Sequence, residues 1–196
     1  MMKKKLPSKK KSYLFILLGI VLAASAAMVL FQVLSPSDAV RFSRAYPLVE
    51  EDNVFVYISV SEAADILESG TGILYLGFPE CPWCQTYVFF LNEAAQTLGI
   101  TEIFYASILS DRSNNTLAYR RIVDVLGDRL NLDADGNPRV FVPDISVVKD
   151  GVVLGHNNQT SQNHLDTDLT PVDYWTNARV ADFRITLEAM LSKILE

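Results

Sequence analysis

Sulfur and imidazole are scarce in this chain, whose 196 residues include two cysteines and two histidines. So few cysteines exclude a scaffold held by several disulfides and a four-cysteine zinc site. Acidic residues are missing before Asp38, whereas Lys3, Lys4, Lys5, Lys9, Lys10 and Lys11 crowd the first 12 positions. From residue 35 onward the balance reverses, with 11 basic against 23 acidic residues, a net −12. A body this acidic argues against a nucleic-acid partner and against electrostatic docking on an anionic membrane surface. Internal repeats are lacking too, which excludes solenoids and propellers.

What is present begins with an apolar stretch, "YLFILLGIVLAASAAMVLFQVL", residues 13–34. Its 22 uncharged residues would span about 33 Å as a helix, the thickness of a bilayer core. With the lysines before it and the acidic chain after it, the segment reads as one transmembrane helix, its N-terminus cytoplasmic and the body outside the cell membrane. The alternative is a cleaved signal peptide that releases a secreted body, with Ala24-Ser25-Ala26 as the small-residue cleavage site. No cysteine follows the segment closely enough for lipoprotein attachment. Residues 1–12 are then a basic cytoplasmic tail and 13–34 the anchor. Residues 35–53, with two prolines and no period, read as a tether, and 54–196 as one domain.

Within that domain, apolar patterning predicts strands at 54–59, 72–78 and 102–108 and helices at 61–69, from Cys84 to Leu98, and at 115–126. Ser61 is a candidate N-cap of the first helix. Turn chemistry fills 132–139. "RVFV" reads as a further strand, followed by Pro143 and a hairpin around Asp150-Gly151. A long helix opens at Thr170-Pro171, with Val172, Val180, Phe183, Leu187, Leu191 and Ile194 on its apolar face. The order describes an α/β fold, a mixed sheet with helices on both faces.

Both cysteines fall in one motif, Cys81-Pro82-Trp83-Cys84, where the apolar run 72–78 meets a helix. Cysteines three apart on a first helical turn share a face and can cycle between dithiol and disulfide. The unpaired N–H groups and positive dipole end of the helix favour a thiolate at Cys81, the nucleophile. Cys84, on the inward stripe, is suited to resolving a mixed disulfide. Pro82 has the φ of a first helical residue, and Trp83 reads as a partly exposed aromatic that contacts substrate.

The strand "ILYLGF" running into C-P-W-C on a helix, with Val142-Pro143 ahead of "VVKDGVV", resembles the thioredoxin-like superfamily across most of 54–196. "SGTGILYLGFPECPWCQ" is similar to small membrane-attached thioredoxin-like proteins of Gram-positive bacteria, including relatives of bacteriocin transport accessory proteins. The resemblance implies that Pro143 is a cis-proline beside the cysteine pair and that the Val142 backbone pairs with substrate. The sequence departs from the superfamily at Tyr75, where thioredoxins proper carry a buried acid, at Pro-Trp between the cysteines, and at Glu80 next to the nucleophile. The expected function is a membrane-anchored, extracytoplasmic thiol–disulfide oxidoreductase. It needs no cofactor, acts on protein or peptide thiols and disulfides, and depends on a redox partner that resets the pair. The alternative is a non-enzymatic accessory module that holds a peptide or transporter in the same groove.

Three further readings compete. The cysteines could join His156 and His164 around zinc, but H-x7-H is wider than finger spacing. A permanent Cys81–Cys84 disulfide would close too small a loop to constrain the unfolded chain. "DADGN", 133–137, resembles the start of a calcium loop but lacks a glutamate at the twelfth position, and reads as a turn.

Overall fold

A computed structural model of the chain describes residues 13, 15–25, 36–160 and 168–196. The chain divides into two compact units, Met1–Ser37 and Asp38–Glu196. In the first, residues 13 and 15–25 are helical. Among the described residues no helix is long and apolar enough to cross a membrane. Among the described residues this runs against the transmembrane helix expected over 13–34, of which 14 and 26–34 lie outside the described residues.

The second unit starts earlier than the expected boundary at residue 54. Helix α1 (Asp38–Ala45) occupies part of the segment read as a tether. Phe42 and Tyr46 from it and its exit are fully buried, and Phe42 stacks on Phe55 and meets Tyr105 edge-on. Two prolines and mixed charge masked one apolar position per turn, which is all a short helix needs to dock.

The sheet is built from β1 (Phe55–Tyr57), β2 (Gly72–Gly77), β3 (Ile103–Ser107), β6 (Asp144–Lys149) and β7 (Val152–Asn157), in the order β1-β3-β2-β6-β7. β1 and β2 run parallel to β3, while β6 is antiparallel to both β2 and β7. The chain crosses from β1 over β3 to β2 through α2 (Val60–Ser69), then returns to β3 through α3 (Pro82–Thr97). Right-handed crossovers in opposite directions place these helices on opposite faces of the sheet. Helix α5 (Leu117–Leu126) packs on α2, and α7 (Asn177–Leu191) packs on α3. The α/β expectation of a mixed sheet with helices on both faces describes this unit.

Local chemistry moved several boundaries. Ser59, not Ser61, caps α2, because Glu62 completes a capping box with Ser59. A short helix α4 (Leu109–Ser113) precedes α5, and Thr116 caps α5. "RVFV" is not a strand of the main sheet. Pro138–Arg139 forms β5, paired only with β4 (Asn131–Leu132), and 140–143 is an irregular segment leading into β6. The long terminal helix divides into α6 (Pro171–Tyr174) and α7, since Thr176 caps a new start. Val172 is accordingly exposed, whereas Phe183, Leu187 and Leu191 are buried.

The β6–β7 turn brings Asp150 and Gly151 to φ 51° and 73°. Gly151 donates its N–H to Gly70 O at 2.8 Å, and a Cβ there would collide with the Glu68 carbonyl. Glycine serves both the left-handed turn and the close approach.

Candidate functional site

Every residue of β2 from Ile73 to Gly77 is buried, which seats the strand in the sheet centre and fixes its C-terminal end as the point where α3 begins. Cys81 is the N-cap of α3 and Pro82 its first residue. The Cys81 Sγ accepts the Cys84 backbone N–H at 3.3 Å, the role a serine or aspartate oxygen usually fills. The inward stripe of α3, with Cys84, Tyr87, Val88, Leu91 and Ala95 fully buried, holds this turn against the sheet.

The two thiols differ electrostatically. A hydrogen bond from the Cys84 thiol lowers Cys81 to about 7 against the opposing effect of burial, with help from the backbone N–H groups of Cys84 and Trp83 and from the Arg112 charge. Burial pushes Cys84 well above the ordinary thiol range, and its neighbour Cys81 adds to the rise. The Tyr75 hydroxyl and the Phe78 backbone favour the Cys84 thiolate and partly offset this. Tyr75 is itself fully buried, stacked between Tyr87 and Tyr105, and its hydroxyl forms no hydrogen bond of regular geometry. Near neutral pH the arrangement provides one readily ionised sulfur and one protonated, enclosed sulfur. A pair of this kind can exchange with an external disulfide and then close on itself.

Val142-Pro143 is a cis peptide, and the Val142 carbonyl lies 3.9 Å from Cys81 Sγ. The backbone segment expected to face the cysteines therefore does so, although both residues are buried. Trp83 departs from its expected partial exposure. It is 7% exposed because Tyr174 of α6 covers it edge-on at 5.1 Å between ring centroids, a contact no local pattern in C-P-W-C reveals.

A cleft of about 490 Å³ opens beside Cys81, walled by Phe78, Trp83, Phe141 and Val142, with Glu80, Arg112 and Arg139 among its lining. Sequence reading missed Arg112, Phe141 and Arg139. They come from α4, from the two-residue strand β5 and from the irregular segment before Pro143, none of which carries a periodic signal.

The residues weighed for zinc do not gather at the cysteines. His156 Nε2 is 2.9 Å from Asp144 Oδ2 within the β6–β7 hairpin, and His164 lies outside the described residues. Among the described residues no group of three or more His, Cys, Asp or Glu side chains could hold a metal. "DADGN" is a turn in which Asp133 accepts the N–H groups of Asp135 and Asn137.

The sequence matches no family model and no curated protein significantly.

Proposed function

We propose that this protein is a thioredoxin-like thiol–disulfide oxidoreductase, with Cys81 as the nucleophile and Cys84 as the resolving cysteine. The observation that carries the reading is the asymmetry of the pair, with Cys81 lowered to about 7 at a helix N-terminus and Cys84 raised and sealed beneath it. The strand order, the position of the motif after the central strand and the cis Val142-Pro143 beside it also support it. In the reducing direction, the Cys81 thiolate attacks one sulfur of a substrate disulfide. The substrate S–S bond breaks, a mixed disulfide forms, and the first substrate thiolate leaves and takes up a proton. Cys84, losing its proton, attacks Cys81 Sγ, releases the second thiol and leaves the protein oxidised by two electrons. The oxidising direction is the reverse, and a separate redox partner must reset the pair. The basic tail and apolar residues 13–34 support delivery of the body outside the cytoplasm, where disulfides persist.

A single-turnover assay tests the reading. Pre-reduced protein should reduce one peptide disulfide per molecule and gain a Cys81–Cys84 disulfide. Inertness of the reduced, folded protein would refute it. The competing accessory-module reading draws on one observation, that Cys81 is only 8% exposed. It requires Cys81 to alkylate no faster than an ordinary thiol at neutral pH.

A further inference from the structure

The cleft beside Cys81 carries positive charge within a body whose net charge is negative. From residue 35 onward acidic residues outnumber basic ones by 23 to 11, so an arginine here has carboxylates in abundance to pair with. Arg41, Arg121 and Arg184 do so, with Asp38, with Asp65 and Glu68, and with Glu93. Among the described residues Arg44, Arg120, Arg129 and Arg179 do not, and neither do the two arginines of the cleft, Arg112 and Arg139. Among the described residues neither has a carboxylate oxygen within 4.0 Å, although both line the cleft. Glu80, the one acid in the lining, is exposed and pairs with neither.

The two guanidinium groups are also held in place. Arg112 is half-buried, lies over the Phe78 ring at 4.9 Å and donates from Nη1 to the Val140 carbonyl at 3.2 Å. That bond uses one of five N–H donors and fixes the plane of the others. Arg139 lies over Phe141 at 5.8 Å. Burial and then the Arg139 charge depress the Arg112 pKa, so the pair is close enough for mutual repulsion. An anion between them would relieve it.

Resting on the thiol–disulfide reading above, we infer that this cleft selects extended peptide disulfides that carry an aspartate or glutamate next to the reacting cysteine, with Arg112 and Arg139 as the carboxylate-binding pair. The aromatic walls and the volume of about 490 Å³ suit the residues flanking a cysteine better than a bare small anion. Planar guanidinium forks match a carboxylate in geometry as well as charge. The chemical step is the exchange already written: a substrate S–S bond breaks, the mixed disulfide to Cys81 forms, and the protein supplies both electrons. The arginines orient the substrate and do not change that balance.

The test uses pre-reduced full-length protein and three disulfide-linked peptides, identical except for Asp, Asn or Lys beside each cysteine. At low salt the Asp peptide should react about tenfold faster than the Asn peptide, the scale of one charge-assisted hydrogen bond, and the Lys peptide slower than both. The Asp-to-Asn ratio should fall as salt is added. It should flatten in Arg139→Gln and give way to a Lys preference in Arg139→Glu, since Arg139 is only partly buried, in a short two-stranded hairpin separate from the main sheet. Equal rates for the three peptides, or an Asp preference unaltered in Arg139→Gln, overturn the inference while leaving the oxidoreductase reading intact. Failure to reduce any of the three overturns both.

Discussion

Cys81 and Cys84 stand three positions apart on one helical turn, and their surroundings differ as much as a protein's surface differs from its core. Around Cys81 are a helix N-terminus, backbone N–H groups turned to its sulfur, a cleft and two arginines that pair with no carboxylate among the described residues. Around Cys84 is a ring of large aromatic side chains, with Tyr75, Tyr87, Tyr46 and Tyr105 all at 1% exposure or less. Burial acts on both sulfurs, but only at Cys81 do directed hydrogen bonds and a positive charge outweigh it. The contrast shows how one helical turn can give two thiols opposite ionisation tendencies, and on the proposed reading it divides the attacking from the resolving role.

The strongest way to break the contrast is to remove each sulfur in turn. Cys84→Ser should accumulate mixed disulfides with a substrate peptide, while Cys81→Ser should fall to the uncatalysed exchange rate and trap almost none. Mass spectrometry of the quenched reactions reads both. Equal trapping by the two variants would erase the asymmetry.

Titration measures the same contrast more finely. A lowered thiol gains its reactive thiolate as pH rises through the folded value, about 7 for Cys81. Its alkylation rate should therefore rise about tenfold between pH 6 and pH 8 and then level off. Cys84, raised by burial, should stay unmodified throughout. A rate that keeps climbing beyond pH 9 would mean that the hydrogen bonds at the helix start do not stabilise the thiolate.

Only part of this contrast is legible in the sequence. β2, the C-P-W-C turn and the buried stripe from Tyr87 to Ala95 follow from an apolar run, a proline and helical spacing, all local signals. Val142-Pro143 was legible through a resemblance, not through any pattern of its own. The arginine pair was not, because Arg112 and Arg139 lie 31 and 58 positions beyond Cys81 and only the fold unites them. For the same reason the burial of Trp83 was unforeseen, since it depends on Tyr174 from the far end of the chain. Phe42 and Tyr46 entered the core from a segment whose prolines and charges resembled a linker. The anchor reading rested on apolar length and on the charges flanking it, whereas among the described residues no helix is long and apolar enough to cross a membrane.

A methyl group tests how tightly the Cys84 side is sealed. Gly77 ends β2, and a Cβ there would sit 2.7 Å from the Tyr75 hydroxyl oxygen. Gly77→Ala must push the buried ring aside, so it should cost about 1–3 kcal/mol by overpacking. The drop should appear as a lower denaturant midpoint with an unchanged slope. An unaltered midpoint would show that the aromatic ring around Cys84 yields freely.

The smallest expected change in stability is at Tyr75 itself, and it separates packing from chemistry. Its hydroxyl is buried without a regular hydrogen bond, and burial and the Cys84 sulfur hold the phenol well above its ordinary range. It therefore stays protonated and, in the proposed exchange, would offer a donor to Cys84 as that sulfur ionises. Tyr75→Phe keeps the ring stacked on Tyr87 and Tyr105 and removes only that proton donor. Since an unsatisfied buried hydroxyl is a liability, the variant should be more stable by about 1 kcal/mol. Its first step, attack by Cys81, should proceed within twofold of wild type, whereas closure of the Cys81–Cys84 disulfide should slow by roughly threefold to tenfold, the scale of one modest hydrogen bond. Stopped-flow thiol release, which resolves the two leaving groups in time, reads both steps from one trace. Gained stability with an unchanged second step would leave Tyr75 a packing residue and Cys84 to ionise without its help.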